Sequence, residues 1–267
     1  MPMTTGWLPA IIVTVASFAL SCLAVRLALV WLRKCALLDR PNARSSHVTP
    51  TPRGGGLGLV PAILLVWVGA TIGLADWHMA CVLAGAALLF LISFRDDVKS
   101  LPPGPRLLAQ FLAALLALPW LISVGPVFQG VLPAILDAVL VVLILVGFVN
   151  FFNFMDGIDG ISGVEGGTIG LGAGLVLLIA TGIGVSLPMV GLAMSLGFCL
   201  FGGALGFLVW NWHPAKVFLG DVGSIPLGYL GGLLCLTLAG QGLWIPALLL
   251  PAYYLADAGL TLLARAW

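Results

Sequence analysis

Runs of about twenty apolar residues recur along the whole chain, and a helix needs about that many to cross the hydrocarbon core of a bilayer. Within that core only helices and closed barrels satisfy their own backbone groups. The runs lie near 7–27, 57–75, 79–94, 107–124, 131–149, 165–183, 187–209, 224–240 and 243–263. They predict an all-α, polytopic membrane bundle of about nine transmembrane helices, forming one membrane-embedded domain over residues 1–267. Composition agrees: 61% of residues are hydrophobic and 8% charged, where a soluble domain carries roughly 25% charged residues. The first run lacks a basic leader and a cleavage site, so it is expected to stay as a span.

Charge placement gives the expected orientation. Loops after odd-numbered runs hold Arg33, Lys34, Arg40, Arg44, Arg53, Arg95, Lys99, Arg106, Lys216 and Arg265, ten of the eleven Lys and Arg residues. Arg26 sits toward the same end of the first run and can snorkel there. The opposite loops, near Asp76–His78, Gly125–Gly130, Gly184–Ser186 and Gly240–Gly242, hold none. Positive loops stay cytoplasmic, which predicts a periplasmic N-terminus and a site on the cytoplasmic face. A net charge of +1 gives no reason to expect a nucleic-acid partner. The five cysteines show neither CxxC nor His-paired spacing, so neither a disulfide framework nor a zinc site is expected.

Four polar stretches lie in the charged loops. The first, DRPNARSSHVTPTPRGGGLG, carries three prolines that forbid a continuous helix, three successive glycines, and Arg40, Arg44, His47 and Arg53. Arginine suits bidentate contact with phosphate oxygens, although such a loop could equally rest on anionic headgroups. The second, FRDDVKSLPPGPR, pairs Asp96 with Asp97. On a helix their side chains diverge by about 100°, but at a frayed end both could reach one cavity, with Lys99 or Arg95 neutralising them. A solvated turn is the alternative.

The third, NFFNFMDGIDGISG, places Asn150, Asn153, Asp156 and Asp159 at intervals of three, with Gly157 and Gly160 between. The amides form a slanted stripe on a helix that ends near the glycines, where the carboxylates can curl into a pocket. That set suits a divalent cation, a nucleobase or a sugar. In the fourth, WNWHPAKVFLGDVGSIPLG, Asp221 stands just before an apolar run. It could cap that helix or hold Mg²⁺, which takes few protein carboxylates and completes its shell with water and phosphate. Trp210 and Trp212 read as interface anchors. Asp137 and Asp257 fall inside runs and stay unassigned, and the glycines from Gly166 to Gly174 read as close helix packing. Aspartates for metal, basic groups for phosphate and aromatics for a base suit phosphoryl transfer, which is mainly positioning and charge neutralisation. A site at a membrane surface suits one water-soluble and one lipid substrate.

The stretches RPNARSSHVTPTPRGGG (40–56), RDDVKSLP (95–102), NFFNFMDGIDGISG (150–163) and NWHPAKVFLGDVGS (211–224) resemble the polyprenyl-phosphate N-acetylhexosamine-1-phosphate transferases of glycosyltransferase family 4. That family also includes the MurNAc-pentapeptide phosphotransferases; the RSSH and PTPRGGG wording is nearer to the hexosamine branch. The resemblance implies transfer from a UDP-N-acetylhexosamine to undecaprenyl phosphate with release of UMP. It implies Mg²⁺, with Mn²⁺ as an alternative, in the bacterial inner membrane, as a first step toward O-antigen or another envelope polysaccharide. A homodimer is compatible with it. The implied catalytic residues are Asp96, Asp97 and Lys99, with Asp96 as base, and Asp221 is the implied metal ligand. Asn150, Asn153, Asp156, Asp159, Arg53 and His47 are the implied substrate contacts. Family members continue with a histidine-motif loop and further helices, whereas this sequence stops at LLARAW. The expectation is therefore a transferase domain without that segment. A non-catalytic membrane partner and a secondary transporter are the alternatives.

Overall fold

The computed structural model describes residues 6–39, 41, 49–74, 76–185 and 189–266. Ten helices and one small hairpin follow in order: α1 (Trp7–Lys34), β1 (Leu38–Asp39), β2 (Thr51–Pro52), α2 (Gly56–Thr71), α3 (Trp77–Val98), α4 (Pro103–Val124), α5 (Ala134–Met155), α6 (Ile161–Gly182), α7 (Val190–Asn211), α8 (Asp221–Gly240), α9 (Trp244–Leu249) and α10 (Ala252–Ala266). Seven of the described helices are long and apolar enough to cross a membrane, and α2 is a shorter apolar helix. The protein is thus a polytopic membrane helical bundle.

The apolar run at 243–263, expected as one span, is two helices meeting at Leu250–Pro251. Pro251 has no N–H to continue the ladder, and its ring clashes with the carbonyl four residues earlier. The other runs each match one helix, with ends shifted by up to seven residues.

Helix α8 is the axis. All of its residues are buried, and α3, α4, α5, α6 and α2 pack around it. A second layer pairs α1 with α7 and α7 with α6. Where helices nearly touch, glycine makes the approach feasible: a β-carbon on Gly56 would lie 2.3 Å from the Gly223 α-carbon. The expected packing role of the α6 glycines holds, since a β-carbon on Gly170 would lie 2.6 Å from the Gly197 carbonyl oxygen of α7. Large apolar side chains point outward on α1 (Leu8, Ile11, Ile12, Val15) and on α5 (Ile135, Val139). Such an outer surface belongs in lipid.

The two aspartates expected inside apolar runs resolve differently. Asp137, in the first turn of α5, accepts hydrogen bonds from the Val127 and Phe128 amides and ties down the preceding loop. Asp257 lies on an exposed face of α10.

Candidate active site at one end of the bundle

Four connections meet at one pole: β2 with the residues 53–55 that lead into α2, the α3–α4 turn, the α5–α6 turn and the α7–α8 loop. Backbone pairing fixes the first against the last. The Phe218 amide donates to the Pro52 carbonyl at 2.8 Å, and the Phe218 carbonyl accepts from Gly54 and Gly55 at 3.0 and 2.8 Å. This seats Arg53 beside Gly220, whose φ of +75° lets the chain turn directly into α8.

A row of alternating charges results. The Arg53 Nη2 lies 2.5 Å from the Asp221 Oδ1 and 3.2 Å from the Asp97 Oδ1. The Arg106 Nη2 lies 3.3 Å from the Asp221 Oδ2, and its Nη1 lies 3.0 Å from the Asp96 Oδ2. The order is therefore Asp97–Arg53–Asp221–Arg106–Asp96. Burial works against the charge on Arg53, but Asp97 and Asp221 outweigh it and raise its pKa. The adjacent aspartates do diverge, as helical geometry requires, and the two guanidiniums rejoin them through Asp221.

Asp97 has a second task. Its carboxylate accepts the amides of Asp221 at 3.2 Å and Val222 at 2.9 Å, the first two residues of α8. The cap of α8 thus comes from α3, while Gly220 provides no side-chain cap and Asp221 opens the helix. This settles the capping alternative for Asp221 against it. The Asp96 Oδ1 accepts the Leu101 amide at 2.6 Å and so holds the α3–α4 turn.

The α5–α6 connection contributes the remaining predicted residues. Helix α5 ends at Met155, and Asp156 follows it as the C-cap. Burial lifts the Asp156 carboxyl from its ordinary 3.8 to about 6, against a hydrogen bond from Ser162 and the pull of Arg53. Asn153 accepts from Ser224 of α8 at 2.6 Å. Asn150 and Gln110 of α4 exchange amide hydrogen bonds, at 2.7 and 3.4 Å. Asp159 faces the neighbouring loop, where its Oδ2 accepts from the Ala215 amide at 3.0 Å and meets the His213 Nδ1 at 2.9 Å. Asn211 completes this junction by accepting from the Gly160 amide and donating to the Val217 carbonyl.

Lys99 sits exposed at the end of α3. Among the described residues its side chain makes no ion pair; Arg53 and Arg106 occupy that role. His47, Arg40 and Arg44 lie outside the described residues. Arg106 was visible in the sequence only as loop charge. Its signal is positional: Pro103 opens α4, and a cation one turn into an otherwise apolar helix is a residue held for a purpose. Ser224 and Gln110 carried no comparable signal.

Among the described residues, no three His, Cys, Asp or Glu side chains are grouped so as to hold a metal ion by themselves. The donor chemistry nevertheless fits Mg²⁺, which needs only one or two carboxylates when phosphate and water complete its shell. Asp221, at the centre of the row, is the residue that would hold it.

The class defined by these features is an integral membrane helical bundle with an arginine-bridged acidic site at one pole. A sequence model of glycosyl transferase family 4 matches residues 79–239. The chain belongs to that family. It is 29% identical over 256 residues to the phospho-N-acetylmuramoyl-pentapeptide-transferase of Synechococcus sp. (strain CC9311), covering 88% of this chain and 66% of that relative. It is 26% identical over 221 residues to the probable undecaprenyl-phosphate N-acetylglucosaminyl 1-phosphate transferase of Bacillus subtilis (strain 168), covering 80% and 60%. With the decaprenyl-phosphate N-acetylglucosaminephosphotransferase of Mycolicibacterium smegmatis it shares 31% identity over 237 residues, covering 79% and 56%. The chain thus spans about two thirds or less of the length of these three relatives.

Proposed function

We propose that the protein transfers an N-acetylhexosamine 1-phosphate from a UDP-sugar to undecaprenyl phosphate, giving the undecaprenyl-diphospho-sugar and UMP. The observation that carries this reading is the row from Asp97 to Asp96, where two arginines and three aspartates converge at one pole of a membrane bundle. A phosphate oxygen of the lipid attacks the phosphorus that bears the sugar, and the bond to the bridging oxygen breaks as UMP leaves. Asp96 orients the attacking phosphate and takes its proton where it carries one. Arg53 and Arg106 hold the diphosphate by bidentate contacts, and Asp156, Asn150 and Asn153 line the nucleotide side. Mg²⁺, held by Asp221, would supply charge neutralisation at the transferred phosphoryl group.

In this reading the helical runs make about nine crossings, the N-terminus is periplasmic, and the site opens to the bacterial cytoplasm. Relatives from both the pentapeptide and the N-acetylglucosamine branches match. The RSSH and PTPRGGG wording favours a hexosamine donor and a role at the start of O-antigen or another envelope polysaccharide.

The test is UMP release by the purified protein with undecaprenyl phosphate, Mg²⁺ and each of several UDP-N-acetylhexosamines. UMP that requires lipid, donor and metal together is the expected result. No UMP with any donor, either from this chain or from one extended by the family's C-terminal segment, would overturn the proposal in favour of a non-catalytic relative.

A further inference from the structure

The charge row contains its own competition. Asp221 has two carboxylate oxygens, and a guanidinium holds each: Arg53 on Oδ1 at 2.5 Å and Arg106 on Oδ2 at 3.3 Å. The flanking aspartates are equally engaged. Asp97 is held by Arg53 and two α8 amides, and Asp96 by Arg106 and the Leu101 amide. A divalent cation reaching Asp221 must therefore take an oxygen that an arginine holds. It must also sit beside that arginine's charge, and like charges this close repel.

The partners differ in freedom to move. Asp97 and Asp96 are tied to backbone amides, whereas the arginine side chains are 44% and 32% exposed. The acidic surroundings are also larger than the row, since Asp39 and Asp156 act on Arg53 as well. The three aspartates of the row against two arginines leave one negative charge uncompensated within it, so the row attracts a cation that its own arginines obstruct.

We propose that Arg53 and Arg106 are exchangeable occupants of Asp221. On ligand entry the guanidiniums pass from the carboxylate to the phosphate oxygens of a nucleoside diphosphate, and the freed Asp221 takes the divalent cation. Each charge keeps a partner throughout, and the Arg fork matches a phosphate as well as a carboxylate. The two ligands are then coupled through the arginines, in addition to any direct contact between them, and the coupling is reciprocal. The diphosphate half rests on the transferase reading above; the cation half does not.

The experiment measures Mn²⁺ binding by electron paramagnetic resonance without nucleotide, and UDP binding by calorimetry with Mg²⁺, for the wild type and for Arg106→Gln and Arg53→Gln. Exchange predicts changes of opposite sign: Mn²⁺ affinity rises by about tenfold, equivalent to about 1.4 kcal/mol, while UDP affinity falls by a similar factor. Arg106→Lys keeps the charge but cannot span Asp96 and Asp221, so its Mn²⁺ affinity should fall between those of wild type and Arg106→Gln. Thermal melting of each variant checks that it folds. Arginines with a purely structural role would lower both affinities, and that result, or an unmoved Mn²⁺ affinity in folded variants, overturns the exchange. Protein that binds Mn²⁺ but not UDP, both as this chain and extended by the family's C-terminal segment, refutes the transferase reading and the diphosphate half with it, while the Mn²⁺ series still decides the cation half.

Discussion

Replacing Asp97 separates a supporting role from a purely chemical one. Its carboxylate accepts the first two amides of α8, at 3.2 and 2.9 Å, and pairs with Arg53 at 3.2 Å. Loss of a helix cap costs about 0.5–2 kcal/mol. The ion pair adds about 1 kcal/mol at most, because Arg53 is 44% exposed and water screens it. Asp97→Ala should therefore destabilise the protein by about 2 kcal/mol, which lowers Tm by about 4–8 °C for a chain of this size. Asp97→Asn keeps one acceptor oxygen and should lose about half as much stability. Thermal unfolding in detergent gives the first number, and hydrogen exchange at the Asp221–Ser224 amides shows where the loss occurs. If Asp97 served chemistry alone, Asp97→Ala would relieve repulsion from Asp221 and Tm would hold or rise. An unchanged Tm with unchanged amide protection would refute the capping argument.

The other predictions follow from single contacts. In the fold, Asp156 keeps its proton up to about pH 6, whereas the unfolded chain releases it near 3.8. Its contribution to stability is thus present at low pH and is lost as pH rises through about 6. Asp156→Asn should gain in Tm relative to the wild type between about pH 4 and 6 and keep a constant offset above about 7; a difference independent of pH would remove the burial argument. Gln110→Ala and Asn150→Ala should each destabilise, and their double-mutant cycle should return a coupling of about 1 kcal/mol, additivity being the contrary result. Asp221→Asn should abolish Mg²⁺-dependent UMP release in a protein that still inserts and folds. Asp96→Asn should lower turnover more than nucleotide affinity, and a defect confined to binding would end its assignment as base.

The membrane class could be read directly, because a run of apolar residues sufficient to cross lipid has few other uses. Convergence of the four polar stretches was also legible, since each lies at the same end of an alternating chain. Spacing gives no hint that α8 begins on Asp97, because a cap supplied by another helix leaves no trace in it. Arg106 passed as loop charge because nothing in SLPPGPR says that Pro103 starts a helix aimed at Asp221. A proline inside an apolar run does not by itself mark a break: Pro61, Pro119 and Pro226 sit within unbroken α2, α4 and α8, whereas the chain breaks at Pro251. Asp159 illustrates the same limit: its spacing matches that of Asp156, but it braces the loop at Ala215.

The burial of every residue of α8 bears on how the protein is made. A segment released into the bilayer first meets lipid on all sides, so it must be apolar enough to enter before its neighbours exist. Once α3, α5 and α6 close around it, lipid no longer touches it, and its surface answers only to other helices. Its glycines, Gly223, Gly228, Gly231 and Gly232 among them, serve the second condition and its leucines both. Helix α8 is thus selected twice, first as a passenger of the insertion machinery and then as a core.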